Sequence, residues 1–296
     1  CRCGVTGTAL WRSWLYVPGD RIDVIDKALV SEADCVIIDL EDSVHANNKE
    51  IALSHACTVI ARNPDAPIVV RINAVGTPWH DKEVVELSRA QVQHVRVPKC
   101  ESAVEVRKVS ESLGENCRLH LLIESAKGLQ ASDDLAAASE TVGSLGLGEA
   151  DLRADLGITE DTYLSYARGR VVASSRAAGL GAPPQSVFVD LKDDTGLRQS
   201  TEHARAAGFF GRSVIHPCQI QIVNEIFTPH SSDVARAREI TESFHESASK
   251  SSSVLVLEDG RFIDPAIVKS AQRVMDLAAI YGVTEPTTST KEDHHD

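Results

Sequence analysis

The chain has few aromatic or sulfur-bearing residues: a single methionine, three tryptophans and only 4% aromatics among 296 residues. No apolar run approaches the roughly 20 residues a membrane-spanning helix needs, which argues against a membrane partner. Seven cysteines are present, an odd number, and no pair has C-x-x-C spacing. A disulfide framework or a zinc ribbon is therefore not expected. There is no G-x-S-x-G nucleophile elbow and no H-E-x-x-H metal motif among the 11 histidines. Cations are in deficit, with 30 Lys and Arg against 43 Asp and Glu and a net charge of -13. That balance argues against nucleic acid or an anionic membrane as the main partner. It leaves room for an anionic small molecule held by a local arginine.

What remains is ordinary globular material, 43% hydrophobic and 25% charged, long enough for one large α/β domain with a sizeable core. Cys35 and Cys117 fall in or beside apolar runs and read as small core residues. Cys1-Arg2-Cys3 reads as a frayed terminus. Arg2 and Arg12 with no acid in the first dozen residues give a faint transit-peptide character, in a stretch too short to assign. A reducing cytoplasm is the expectation, with the mitochondrial matrix still open.

Apolar runs and helical patterns alternate along the chain. Runs at 13–18, 35–40, 67–73, 94–99, 118–124, 142–151, 186–191 and 211–216 read as buried parallel strands. Helical patterns follow each, among them one capped by Asp20 and a long one from 159 to 178. Strand–helix units of this size favour a closed (β/α)₈ barrel over an open doubly wound sheet. Gly146-Leu147-Gly148 lacks the third glycine of a dinucleotide fingerprint. The expected catalytic barrel spans 12–229. A lid-like extension of helix, hairpin and helix spans 230–283, with the hairpin turning at Glu258-Asp259-Gly260. A polar tail, 284–296, is expected to be disordered.

Two runs end in carboxylates: Leu121-Leu122-Ile123-Glu124 and Gly146-Leu147-Gly148-Glu149-Ala150-Asp151. Carboxylates where successive parallel strands stop can share one hard cation, with water and substrate oxygens completing its shell. Acids in such places also serve simply as caps for the next helix. Other candidate rim groups are Arg12, Glu41, Asp42, Arg71, Asn73, Lys99 and His216. Arg71 lies within an apolar run, and its neighbours Val70 and Ile72 must face the opposite side. It offers either a bidentate grip on a substrate carboxylate or an internal ion pair with Glu41 or Glu124. His216 precedes Pro217 and reads as structural rather than as a base. Lys99 reads as electrostatic or structural rather than as a Schiff-base lysine.

Several of these residues sit in recognisable motifs: Arg12-Ser13-Trp14-Leu15-Tyr16-Val17-Pro18-Gly19, Asp39-Leu40-Glu41-Asp42-Ser43-Val44, Val70-Arg71-Ile72-Asn73, Val97-Pro98-Lys99, Ile123-Glu124, Gly148-Glu149-Ala150-Asp151-Leu152 and Ile215-His216-Pro217. In this order, over about 12 to 280, they resemble the citrate lyase β-subunit-like branch of the HpcH/HpaI aldolase family. The resemblance implies a (β/α)₈ barrel, a homotrimer, and Mg²⁺ on Glu124 and Asp151. It also implies that Arg71 holds the substrate carboxylate, and that Arg12 or Lys99 meets the thioester oxygen or CoA phosphates. Asp259-Gly260-Arg261-Phe262-Ile263-Asp264 resembles a lid motif whose last residue, Asp264, enters a neighbouring subunit's site as acid/base. The implied reaction is cleavage of a 3-hydroxyacyl-CoA thioester, of citramalyl-CoA or malyl-CoA type, to acetyl-CoA and a 2-oxo acid. Alternatives are a malate or citramalate synthase, an acyl-CoA thioesterase, a citryl-carrier-protein lyase subunit, or a non-catalytic assembly subunit. One departure stands out. Gln185 occupies a position before the seventh run where the family often carries aspartate.

Overall fold

In the computed structural model, residues 10–248, 255–256 and 262–284 are described. The chain divides into two compact units, Cys1–Phe227 and Thr228–Asp296. The first unit contains β1 (Ser13–Pro18), α1 (Ile22–Leu29), β2 (Cys35–Asp39), α2 (Lys49–Arg62), β3 (Ile68–Arg71), α3 (His80–Arg89), β4 (His94–Val97) and α4 (Ala103–Leu113). It continues with β5 (Arg118–Ile123), α5 (Ala126–Gln130), α6 (Ser132–Ala136), β6 (Val142–Leu147), α7 (Glu149–Leu156), α8 (Ser165–Ala177), α9 (Asp194–Ala206), β7 (Arg212–Val214) and α10 (Ile220–Phe227). The seven strands form one sheet in the order β6-β5-β4-β3-β2-β1-β7, and every pairing in it is parallel.

Alternation along the strands sorts the side chains into two layers. Val36, Ile38, Val70, Val95, Leu121 and Leu145 face outward into the main core that the helices cover. The opposite face carries Trp14, Cys35, Ile37 and Val69 in a smaller cluster with Trp11. Beside it runs a polar row in direct register: Asp39, Arg71, Arg96, His120 and Ser144. Arg96 on β4 donates from Nη1 to the Tyr16 hydroxyl on β1 and to Ser213 Oγ on β7, both at 3.1 Å. With β3 and β2 lying between β4 and β1, those bonds can form only if the sheet curls its polar face inward. Arg96 also lies over the rings of Trp14 and Tyr16, at 5.0 and 5.7 Å.

Among the described residues the expected seventh barrel strand does not form. The run at 186–191 is irregular, and its neighbour Gln185 makes a single bridge to Arg212. Pro183 and Pro184 carry no N–H to donate to a ladder, and Phe210 donates to the carbonyl of Pro183 instead. The expected closed (β/α)₈ barrel thus reduces to a sheet of seven strands and a one-residue bridge. The run at 142–151 is also shorter than expected as a strand. β6 stops at Leu147, and Glu149 opens α7. Asp20 does not cap α1, whose N-cap is Arg21 without a side-chain bond. Asp20 instead accepts from Asn48 at 2.7 Å.

The second unit contains α11 (Ser231–Ala248), β8 (Leu255–Val256), β9 (Phe262–Ile263) and α12 (Pro265–Tyr281). β8 and β9 pair antiparallel, as expected of a hairpin. Its turn at 258–260, the tail from 285 onward and Cys1-Arg2-Cys3 lie outside the described residues. No helix among the described residues is long and apolar enough to cross a membrane.

The inward row contains a titration trap. His94 Nδ1 and His120 Nε2 share a hydrogen bond of 3.2 Å, and His120 Nδ1 is bonded to Ser144 Oγ at 2.8 Å. Burial, with Arg118 nearby, pushes His94 down to about 4. Burial and its charged neighbours push His120 well down too. These histidines stay neutral in the fold while the unfolded chain protonates them near 6.5, so they reduce stability as pH falls from about 6.5 towards 4. Glu83 and Glu124, each raised to about 7 mainly by burial, shift the opposite way and mask the effect in the wild type. His94→Gln isolates it. Between pH 7.5 and pH 5 the variant is expected to lose about 2 kcal/mol less than the wild type, as read from urea midpoints. An identical pH dependence in both proteins would remove His94 from the account.

Candidate active site

The carboxyl ends of the strands surround a cleft of about 450 Å³, lined by residues from β1, β2, β3, β5, β6, α7 and β7. Arg71, Glu124 and Asp151 all line it, together with Asp39, Asp42 and Ser213. Arg71 is the last residue of β3, and register sets it beside Asp39, the last of β2. Its guanidinium grips Asp39 with two bonds of 2.7 Å and donates to Asp42 at 3.1 Å. Glu41 Oε2 lies 3.1 Å from Nη1 as an ion pair, but that buried oxygen accepts no hydrogen bond. The ring of Tyr16 lies 5.0 Å from the guanidinium. Burial would raise the Asp39 carboxyl, but the bonds and charge of Arg71 outweigh it and hold it low. Glu41 behaves the other way. Burial keeps its carboxyl raised despite Arg71 and Lys99. Arg71 therefore does form the internal pair, chiefly with Asp39. Three of its five donors are bonded to Asp39 and Asp42, which leaves others for a substrate.

Glu124 follows β5 and is only 6% exposed. Burial, reinforced by Glu41 and Asp151, pushes its carboxyl up to about 7. The backbone N–H of Lys99 donates to its Oε2 at 2.9 Å, and Lys99 holds that direction with a positive φ of 52°. A non-glycine residue in this region carries a conformational cost of about 1–2 kcal/mol. Gly148 completes the pocket, since a Cβ there would overlap Glu124 Oε1 and Cγ. Asp151 stands in the first turn of α7 rather than at a strand end. There the helix dipole favours a negative charge. Among the described residues no group of three His, Cys, Asp or Glu is placed to hold a metal. A cation would take Glu124 and Asp151 and leave its other positions to water and substrate, which is how Mg²⁺ is commonly bound. The hard oxygen donors, the crowded carboxylate charge and the unbonded Glu41 Oε2 all fit such an ion.

Behind the cleft lies a buried scaffold. Lys49 Nζ donates to the carbonyls of Leu40 and Glu41 and to Asn73 Oδ1, at 2.6 to 2.8 Å. Asn73 donates to Leu40 and to Glu83, so it supports the β2 loop rather than the rim. Lys99 Nζ pairs with Glu41 Oε1 at 2.7 Å and remains 47% exposed. His216 accepts from Cys218 N and caps a single turn, the structural role expected of it. Arg12 is not brought into the cleft. It precedes β1 at the edge where strands begin, and its N, Nε and Nη2 donate to Asp34 at 2.8 Å. Asp264 lies in the second unit as the N-cap of α12, with Oδ1 accepting from Ala266 and Ile267 at 2.8 and 2.9 Å.

Asp39, Lys49 and Arg96 were not expected at or behind the site. Arg96 had the signal that exposed Arg71, a cation within an apolar strand run. Lys49 had none, because its partners are backbone carbonyls and an asparagine 24 positions away.

Comparison with known proteins follows the same lines. Residues 12–217 match the model of the HpcH/HpaI aldolase/citrate lyase family. Citrate lyase subunit beta of Leuconostoc mesenteroides subsp. cremoris is 28% identical over 284 residues, covering 91% of this chain and 93% of that protein. L-malyl-CoA/beta-methylmalyl-CoA lyase of Rhodobacter capsulatus is 29% identical over 302 residues, covering 90% and 94%. CitE from Mycobacterium tuberculosis, solved with magnesium, acetoacetate and coenzyme A, superposes with a TM-score of 0.76 at 27% identity, covering 93% of this chain and 100% of that one. The motifs, the curled parallel sheet with its carboxylate-lined cleft, and a family match over most of the chain agree: this protein belongs to the HpcH/HpaI aldolase/citrate lyase family.

Proposed function

We propose that the chain is a Mg²⁺-dependent carbon–carbon lyase that splits a 3-hydroxyacyl-CoA thioester, of citramalyl-CoA or malyl-CoA type, into acetyl-CoA and a 2-oxo acid. The observation that carries this reading is the convergence of Arg71, Glu124 and Asp151 on one cleft. The relatives named as lyases of citrate and of malyl-CoA support it. Glu124 and Asp151 would hold Mg²⁺, whose positive charge favours the oxygens that gain charge during cleavage. Arg71 would orient the substrate carboxylate with its unspent donors. Lys99, half exposed beside Glu41, is the cation assigned to the CoA portion.

In the reaction the hydroxyl gives up its proton to water in the cleft and its carbon becomes a carbonyl. The bond to the thioester's α-carbon breaks, and its electron pair leaves as the acetyl-CoA enolate. Asp264, contributed by a neighbouring copy in a homotrimer, would return a proton to that carbon. Asp264→Asn tests this step cleanly, because asparagine still caps a helix. The variant is expected to fold and bind substrate as the wild type does while turnover drops about 10²- to 10⁴-fold. Undiminished turnover would take Asp264 out of the mechanism. The reading as a whole is tested by acetyl-CoA release from citramalyl-CoA and malyl-CoA, with Mg²⁺ and with EDTA. Release that requires Mg²⁺ supports the lyase and names the substrate. Release of CoA with no 2-oxo acid would indicate a thioesterase instead.

A further inference from the structure

Arg212 is 1% exposed, and among the described residues no carboxylate lies within ion-pair distance of it. Its Nη2 donates to Ser200 Oγ at 2.8 Å. Its buried Nε has no hydrogen-bond partner, and the ring of Phe188 lies 6.0 Å away. A buried guanidinium left in this state is costly. Burial, more than Glu149 and Asp161 can restore, pulls it down to about 10. Arg96 is also buried without a carboxylate and its Nε is likewise unbonded, but two hydroxyls and two aromatic faces surround it. Arg212 has one hydroxyl and one more distant ring.

Register explains where Arg212 points. Its neighbour Ser213 reaches into the curled sheet to Arg96, so Arg212 faces the opposite side, towards α9. A cavity of about 550 Å³ lies there beside the irregular run, lined by residues including Arg212, Ser200, Ala204, Val187 and Phe188. Ser200 and Ala204 lie on one face of α9. The acids nearby are engaged elsewhere. Glu149 is held by Arg168 at 2.8 Å and by Gln185 Nε2 at 3.0 Å. Asp161 is held by Arg168 and Arg153. Asp190 accepts from Lys192 N. Asp190 is exposed to solvent, so the one buried charge lining this space without a counter-charge is positive, and Val187, Phe188 and Ala204 supply an apolar wall.

We propose that this cavity is a binding site for an organic monocarboxylate, with the carboxylate on Arg212 and Ser200 and the apolar body against Phe188, Val187 and Ala204. Ser200 accepts from Arg212 and keeps its own proton to donate. A single guanidinium matches a single negative charge, and the size suits a small ring or short chain. The cavity adjoins the catalytic cleft and shares Val187 with it, but binding there needs neither Mg²⁺ nor CoA, so its test does not rest on the lyase reading.

Benzoate, its neutral analogue benzamide and inorganic phosphate serve as probes of the full chain. Benzoate at a hundredfold excess over its Kd is expected to raise the Tm by about 5 °C, whereas benzamide and phosphate do not. Arg212→Met should abolish that rise without lowering the Tm of the ligand-free protein, because it removes an unpaired buried charge. Crystals soaked in 4-bromobenzoate give a reading on the unmodified protein, with the bromine signal expected between Phe188 and Ala204. Equal stabilisation by benzamide or phosphate, a benzoate response that survives Arg212→Met, or bromine in the catalytic cleft would each overturn the proposal.

Discussion

Arg71→Met is expected to cost about 3–5 kcal/mol of stability as well as turnover, the scale for removing one partner of a buried pair. The cost arises from what the arginine leaves behind. Asp39 is 1% exposed and Glu41 6%, and without Arg71 both are buried anions beside Glu124. The pH dependence should change sign. In the wild type Asp39 is held below its usual range, so its contribution is present at neutral pH and fades only as acid protonates it. In the variant only the N–H groups of Glu41 and Ser43 still oppose burial, and the folded-state value of Asp39 rises. The variant should therefore gain stability as pH falls from 8 towards 5.5, seen as a rising urea midpoint. Adding Asp39→Asn to Arg71→Met should recover much of the lost stability and none of the activity. If the double variant is no more stable than the single one, the penalty does not come from Asp39.

Glu124→Gln should produce the opposite combination, a protein at least as stable as the wild type and nearly inactive. Glutamine keeps an acceptor for the Lys99 N–H and fits the space that Gly148 leaves. It also removes a carboxylate whose charged form is disfavoured, with a folded-state value of about 7. A raised acid costs stability above its unfolded value, so with EDTA present at pH 8 the variant should gain about 2–3 kcal/mol. Turnover should fall at least ~10³-fold, the scale of losing one group that stabilises charge in a transition state, and EDTA should have no further effect. Calorimetric Mg²⁺ titration supplies the binding readout. Wild-type Mg²⁺ affinity in the variant would remove Glu124 from the proposed ion site.

Much of this arrangement could be read from sequence because parallel strands buried on both faces are continuous apolar runs, and six of these were found within a few residues. A charge inside such a run is conspicuous, which is why Arg71 and Glu124 stood out. The failures share a cause: a linear pattern gives side-chain type but not what the backbone can donate or which end of a strand faces the cleft. The run at 186–191 has the composition of a strand, but the ladder beside β7 reaches only Gln185, just before it. Arg12 was grouped with the rim although it precedes its strand. Asp151 was placed at a strand end because Gly146-Leu147-Gly148 fits a strand, whereas the chain had already entered α7 at Glu149. The supports were hidden by distance along the chain. Arg96 finds Ser213 across 117 positions.

The pairing of β1 with β7 has a consequence for synthesis. Ser13 sits beside Arg212, so the first strand made must wait for the last before its second edge is covered. During translation β1 to β6 can form on local crossovers, but the outer edge of β1 stays open until β7 leaves the ribosome. With no eighth ladder joining β6 to β7, the β1–β7 pairing and the Arg96 bonds to Tyr16 and Ser213 are what seal the curl. Until β7 is made, the sheet therefore carries an unpaired, apolar strand edge, the kind of edge that recruits chaperones or pairs wrongly with a second chain.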